Sequence, residues 1–294
     1  MELVHSRADL QAALSTRPSR RGLVPTMGAL HAGHLSLMRQ ARSDVETLVA
    51  SIFVNPKQFG PKEDFARYPR QLEADARLCQ EAGVDVLFAP EPAEMYPADY
   101  ATQVSVGGGL TERLCGAYRP GHFDGVATVV TKLFLLTGAH RAYFGQKDLQ
   151  QWRIIAQLAE DLNIPTEVVR CPTVREPDGL ALSSRNVFLS PDERRAAVRL
   201  SRALGGVLTD FERVPLETAI ARARSIIEQE PLIRLQYLEV VQLSDLSAAT
   251  AFGPGLAALV AGYLGETRLI DNVLLDPHGP DAALVRPSVS EVTP

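Results

Sequence analysis

Apolar, β-branched runs alternate with helix-period runs through the first 170 residues, and no other feature of the chain restricts its fold as tightly. Continuous apolar segments separated by stretches with apolar residues at three-and-four spacing specify strands joined by crossover helices. The expected product is a parallel sheet covered on both faces. The pattern predicts strands at about 22 to 26, 47 to 54, 84 to 88, 141 to 144 and 166 to 170. It predicts helices at about 34 to 43, 70 to 82, 125 to 137 and 148 to 161. A doubly wound sheet of this kind takes its ligands at the carboxyl ends of its strands, so the turns that follow the strands are where chemistry is expected.

After Pro172 the texture changes to PTVREPDGLALSSRNVFLSPDERRAA, a turn-rich stretch that leads into a helix. Ser190 is its expected N-cap, Pro191 its first residue and Glu193 the partner in a capping box. Helices near 191 to 204 and 215 to 229 are followed by the β-like runs LQYLEVVQL, AALVAGYL and TRLIDNVLL, a smaller α+β unit. The expected division is 1–173 for the α/β domain, 174–276 for the α+β domain and 277–294 for an aperiodic, mobile tail.

Composition narrows the function classes. A 46% hydrophobic and 22% charged chain of 294 residues is an ordinary globular protein with ample core. Its net charge of −5 disfavours a general nucleic-acid binder. Cys79, Cys115 and Cys171 lack metal-type spacing and read as reduced, structural thiols of a cytoplasmic protein. The opening MELVHSRADL lacks the apolar core of a signal peptide. The most apolar run, GLAALVAGYL at 255–264, is too short to span a membrane.

Five turns carry candidate chemistry. In PTMGALHAGH (25–34), Pro25 and Gly28 bend the chain after a strand, and His31 and His34 fall at the start of a helix. There, unpaired backbone N–H groups and the helix dipole attract anions. The pair also reads as one structural and one solvated histidine, but glycines at 28 and 33 permit the close ligand approach that a structural histidine would not need. The metal reading is poorer, because no closed ligand set lies nearby. In SIFVNPKQFGPKEDFARYPR (51–70), Asn55 and Gln58 either decorate a turn or hold a small polar substrate. RPGHFDGVATVVTKLF (119–134) puts Arg119 and His122 just before a helix, where helix entry alone would explain Pro120, Gly121 and Asp124. AYFGQKDLQQW (142–152) ends a strand at Gly145 and presents Lys147, Asp148 and Gln151, with the lysine either solvated or neutralising phosphate charge. GLALSSRN (179–186) offers Ser183, Ser184 and Arg185 on an expected mobile loop, as plain surface residues or as a clamp on a triphosphate.

Taken in order, PTMGALHAGH, FVNPKQF, YPR, RPGHFDGVATVV, FGQKD and DGLALSSRN resemble the pantoate-beta-alanine ligases, within the wider nucleotidylyltransferase superfamily. The likeness covers the first domain and the start of the second. H-x-G-H alone is shared across that superfamily, whose second signature is K-M-S-K-S-like. Here that signature reads ALSSR, with Leu182 in place of methionine. The resemblance implies a Rossmann-like doubly wound parallel sheet of the nucleotidylyltransferase type with a smaller C-terminal α+β domain. It implies a cytoplasmic homodimer that uses ATP, pantoate and beta-alanine, with neither nucleic acid nor membrane as partner. By the same resemblance, Met27, Gly28, Ala29, Leu30, His31, Ala32, Gly33 and His34 line the ATP site, together with Gly145, Gln146, Lys147, Asp148, Val174, Leu182, Ser183, Ser184 and Arg185. His31 and His34 would meet the phosphates, with His34 as general acid, and Lys147, Ser183 and Arg185 would stabilise the transferring charge. Gln58, Gln151 and Asn55 would hold substrate, Gln58 also lying near the beta-alanine site. Mg2+ would bridge the ATP phosphates near an acid, for which Asp75 is the candidate. A nucleotidylyltransferase that stops before amide formation and an inactive nucleotide-binding regulator are the alternatives. An aminoacyl-tRNA synthetase fits less well in so short and acidic a chain.

Overall fold

The computed structural model describes residues 1–61 and 63–284. The chain divides into two units, one ending at Cys171 and one beginning at Pro172. The strands of the first unit are β1 (Glu2–Val4), β2 (Arg21–Thr26), β3 (Thr47–Ile52), β4 (Val86–Phe88), β5 (Arg141–Gly145) and β6 (Glu167–Cys171). Its helices are α1 (Arg7–Ser15), α2 (Ala32–Asp44), α3 (Leu72–Glu81), the single turns α4 (Pro92–Met95) and α5 (Cys115–Tyr118), α6 (His122–Thr137) and α7 (Leu149–Asp161). The strands form one sheet in the order β1-β4-β3-β2-β5-β6, and every pairing is parallel.

Burial explains the continuous apolar runs. β3 is covered from Thr47 to Ser51, as a strand flanked by helices on both faces must be. Under α1, α6 and α7 lies one core with Leu10, Leu14, Leu133, Phe134, Ile155 and Leu158. Under α2 and α3 lies another with Leu37, Met38, Ala41 and Cys79. From β2 the chain proceeds to β3 and β4 on one side, then crosses to β5 and β6 on the other. The ends of β2 and β5 therefore flank a topological switch point, the place where such sheets open a binding crevice.

Two elements at the chain start lie outside the predicted set. β1 pairs with β4 at the sheet edge, and α1 is capped by Ser6, whose Oγ accepts a hydrogen bond from Asp9 N at 3.0 Å.

The second unit holds α8 (Pro191–Asp210), α9 (Leu216–Glu228) and an antiparallel sheet of β7 (Ile233–Gln242), β8 (Leu256–Leu264) and β9 (Thr267–Leu274). The capping box forms as expected: Glu193 N donates to Ser190 Oγ at 3.3 Å and Ser190 N donates to Glu193 Oε2 at 2.8 Å. α8 runs beyond 204, through Gly205 and Gly206 to Asp210. Gly205 is suited to its place, since a Cβ there would lie 3.2 Å from the Leu284 carbonyl oxygen. Part of the expected tail has structure: Pro280–Leu284 makes a 3-10 turn, and Asp281 accepts a hydrogen bond from Leu274 N at 2.9 Å. The remainder of that tail, 285–294, lies outside the described residues.

Among the described residues no helix is long and apolar enough to cross a membrane. The three cysteines are buried and form no disulfide. Burial pushes the Cys79 and Cys171 thiols up to about 12, which leaves them protonated and inert at neutral pH.

Candidate active site

The turn after β2 is held in a shape few sequences allow. Gly28 (φ 80°) and Ala29 (φ 51°) both adopt left-handed backbone, and a Cβ at Gly28 would meet Asp75 Oδ2 at 2.9 Å. Asp75, on α3 and 1% exposed, accepts from Ala29 N at 2.8 Å and Leu30 N at 2.9 Å through its two carboxylate oxygens. Gln71 Nε2 adds a third bond at 3.2 Å. The carboxylate thus fills the N–H concavity that the left-handed residues create.

Next, α2 begins with two histidine rings accepting from its first backbone amides. His31 Nδ1 accepts from Gly33 N at 3.1 Å and His34 Nδ1 accepts from His31 N at 3.4 Å. Backbone N–H groups only donate, so both Nδ1 atoms are unprotonated and the proton of each neutral ring sits on Nε2. The ring centroids are 4.1 Å apart. Burial, aided by the Lys147 charge, brings the His31 pKa down to about 4. Burial and the neighbouring His31 bring that of His34 down to about 3. The expectation of bare helix amides as the anion seat is therefore modified, because the imidazoles occupy two of those amides and present Nε2–H donors in their place.

From the far side of the switch point, the 3-10 turn Gln146–Asp148 supplies a cation. Lys147 and Asp148 act electrostatically on both imidazoles, the lysine opposing and the aspartate favouring their protonation. Lys147 Nζ lies 3.6 Å from Asp148 Oδ2. Gln151, one turn into α7, is partly exposed.

The turn after β3 contributes an amide of fixed polarity. Asn55, 1% exposed, accepts at Oδ1 from Lys57 N at 3.2 Å and from Tyr96 Oη at 2.9 Å. It donates from Nδ2 to the Gly125 carbonyl and to Gln58 Oε1, both at 3.0 Å. All four of its hydrogen-bonding positions are taken by protein, so Asn55 stands behind Gln58 and has no free group of its own for a ligand. Gln58 must then direct Nε2 the other way, where it reaches Met27 Sδ at 3.1 Å. That contact joins the NPKQ turn to the PTMG turn. Gly125 permits the approach of α6, since a Cβ there would fall 2.3 Å from the Lys57 carbonyl oxygen.

Sequence reasoning did not single out Tyr96 or Glu63. Glu63 binds Arg119 through both carboxylate oxygens, at 2.7 and 2.6 Å. Only the spacing in RPGHFDG pointed toward this cluster.

In the second unit Val174 and Leu182 pair across a short hairpin, Leu182 N donating to Val174 O at 3.0 Å. Arg175 anchors that hairpin through a buried ion pair with Asp271, at 2.6 and 3.0 Å. Ser183 caps a 3-10 turn over Ser184–Phe188, its Oγ accepting from Arg185 N at 3.2 Å. The stretch expected as a mobile loop thus has defined local structure, because its own hydroxyl and amide groups satisfy the backbone.

Among the described residues no group of three or more His, Cys, Asp or Glu side chains could hold a metal ion. The Asp75 carboxylate is committed to the Ala29–Leu30 backbone and does not fit as a magnesium ligand.

Comparison with known proteins relates the chain to one family. A family model described as pantoate-beta-alanine ligase covers residues 2–274. A pantothenate synthetase of Roseiflexus sp. (strain RS-1) is 50% identical over 278 residues, 94% of this chain and 100% of that protein. The crystal structure of pantothenate synthetase from Thermus thermophilus superposes with a TM-score of 0.91 at 48% identity, covering 94% of this chain and 100% of that one. A pantoate-beta-alanine ligase from Francisella tularensis, solved as a complex with beta-gamma ATP and beta-alanine, has a TM-score of 0.76 at 33% identity and covers 94% and 98%.

Proposed function

The chain belongs to the pantoate-beta-alanine ligase family, and from that membership we propose that it condenses pantoate with beta-alanine, driven by ATP and releasing AMP and pyrophosphate. The observation that carries the reading is the pairing of two neutral Nε2–H imidazoles and the Lys147 ammonium across the β2/β5 switch point. Beside them lies the outward donor of Gln58, one contact away at Met27.

In the first step a pantoate carboxylate oxygen bonds to the α-phosphorus as the bond to the bridging oxygen of pyrophosphate breaks, giving pantoyl adenylate. In the second, the beta-alanine amine bonds to the acyl carbon, AMP leaves with the C–O bond electrons, and the ammonium proton is lost. Neither step needs a covalent protein intermediate. The side chains position two anionic reactants and offset their charge, and positioning of this kind contributes roughly 7 to 11 kcal/mol. Nε2–H of His31 and His34 and the Lys147 ammonium donate to phosphate oxygens that gain charge. Gln58 and Gln151 hold pantoate, and Gln58 Nε2, a donor, suits its carboxylate or hydroxyl oxygens. By the family resemblance, Ser183 and Arg185 bind ATP.

His34 is neutral in the unliganded chain, so its family role as general acid depends on the nucleotide. A triphosphate beside the ring favours the imidazolium and raises its pKa. Magnesium, when present, neutralises phosphate charge. It would arrive with ATP, since such ions keep most of their hydration and need few protein ligands. The family resemblance extends the reading to a cytoplasmic homodimer.

The test is to mix the protein with ATP, magnesium and labelled pyrophosphate. Label enters ATP only when pantoate is added, and pantothenate with AMP appears once beta-alanine follows. Exchange without any amide product would replace this reading with that of a simple nucleotidylyltransferase.

A further inference from the structure

The ligase chemistry above makes no use of His122 or Arg119, yet both are built around Gln58. His122 opens α6 and is 9% exposed. Its Nδ1 lies 2.8 Å from the Gln58 carbonyl oxygen and its Nε2 lies 2.9 Å from Arg119 Nη1. A guanidinium has only donors, so Nε2 must accept, the ring proton must sit on Nδ1, and that N–H donates to the Gln58 carbonyl. Both ends of the ring are thereby assigned. Burial and the Arg119 charge bring the His122 pKa down to about 4, so the neutral form holds at neutral pH.

Arg119 also reaches the Gln58 carbonyl, from Nη2 at 3.4 Å, while its fork grips Glu63 in the same turn. Gln58 is therefore held twice over. Asn55 orients its amide and the Arg119–His122 pair fixes its main chain. A carboxamide at the end of a side chain meets a ligand only as accurately as its backbone is placed.

We propose that Arg119 and His122 are positioning residues of the hydroxy-acid subsite, fixing the Gln58 backbone so that its Nε2 donor meets the acid substrate. The inference rests on the proposed ligase reading and refines one of its subsites. Loss of the His122 donor shifts the Gln58 main chain by tenths of an ångström, and the substrate that Gln58 binds registers the shift. ATP, met by His31, His34 and Lys147, does not.

The experiment compares His122→Ala, His122→Asn and Glu63→Gln with the unaltered chain in pantoate-dependent pyrophosphate exchange. His122→Ala raises the KM for pantoate about tenfold, the loss expected of one buried hydrogen bond, with the KM for ATP within about twofold. His122→Asn, whose amide N–H stands close to the place of Nδ1, recovers most of that loss. Glu63→Gln, which loosens Arg119 without emptying the core, raises the pantoate KM about threefold and serves if His122→Ala does not fold. A pantoate KM unchanged in the folded variants, an equal rise for ATP, or no advantage of Asn over Ala overturns the inference. Absence of pantoate-dependent exchange in the unaltered chain instead overturns the ligase reading, and the subsite assignment with it.

Discussion

The turn that carries His31 and His34 is tied down by a buried carboxylate 45 residues away in the chain, whereas the segment that carries Ser183 and Arg185 is held by bonds to its own near neighbours. In the first, Asp75, Ala29 and Leu30 share no more than 9% exposure each, so water cannot replace a lost partner. In the second, Ser183 and Arg185 are half-buried, and a strong tether, the Arg175–Asp271 pair, lies at the base of the hairpin. The difference teaches where rigidity resides. On the proposed reading, the groups assigned to developing charge are preorganised by long-range buried bonds, while the Ser183–Arg185 segment has only local structure, which can open at small cost.

Breaking the long-range side has the largest expected effect. Asp75→Ala leaves two buried N–H groups without an acceptor, at about 1 to 3 kcal/mol each. It also releases the left-handed turn, so turnover falls about 100-fold as the histidines lose their geometry. Urea unfolding and pyrophosphate exchange measured on one preparation check both effects, and an unchanged midpoint would mean that the carboxylate is not the clamp. Ser183→Ala sharpens the other side. Its cap is worth about 1 kcal/mol or less, so the unfolding midpoint barely moves. If Ser183 binds ATP as proposed, its hydroxyl proton, not used by the cap, is lost to the nucleotide, and the KM for ATP rises about tenfold. A larger loss of stability than of ATP recognition would show that the two regions are built alike.

Much of this was legible beforehand. Thr47 to Ser51 reads as a covered parallel strand because nothing polar enough for a surface interrupts it, and Ser190-Pro191 with Glu193 writes the start of α8 into local chemistry. β1 is three residues long and its helix only nine, too short for periodicity to register. Ser6 before Asp9 was the available signal. The end of α8 was hidden by Gly205 and Gly206, where packing against Leu284 overrides the low propensity of glycine. Within the site, the residue types proposed to meet phosphate stand out in the sequence, since His31, His34 and Lys147 follow strand ends. The division of labour was not. Asn55 and Gln58 are equivalent amides in the sequence, and only the Lys57 N–H and Gly125 carbonyl, the latter 70 residues away, decide which of them faces inward. Asp75 likewise looks like any acid able to meet a metal, until Ala29 and Leu30 are seen to claim it.

All of this depends on His31 and His34 being held as neutral rings with the proton on Nε2. Nitrogen-15 NMR of histidine-labelled protein, titrated from pH 8 downward without ligand, reads that state directly. Their folded pKa values of about 4 and about 3 lie below the unfolded value near 6.5. Between those limits the unfolded chain binds more protons, so stability falls as the pH drops from about 6.5 toward 4. The account predicts Nε2–H signatures for both rings that persist to about pH 4, with unfolding becoming easier over the same interval. Either ring titrating near pH 6.5, or carrying its proton on Nδ1, would contradict it.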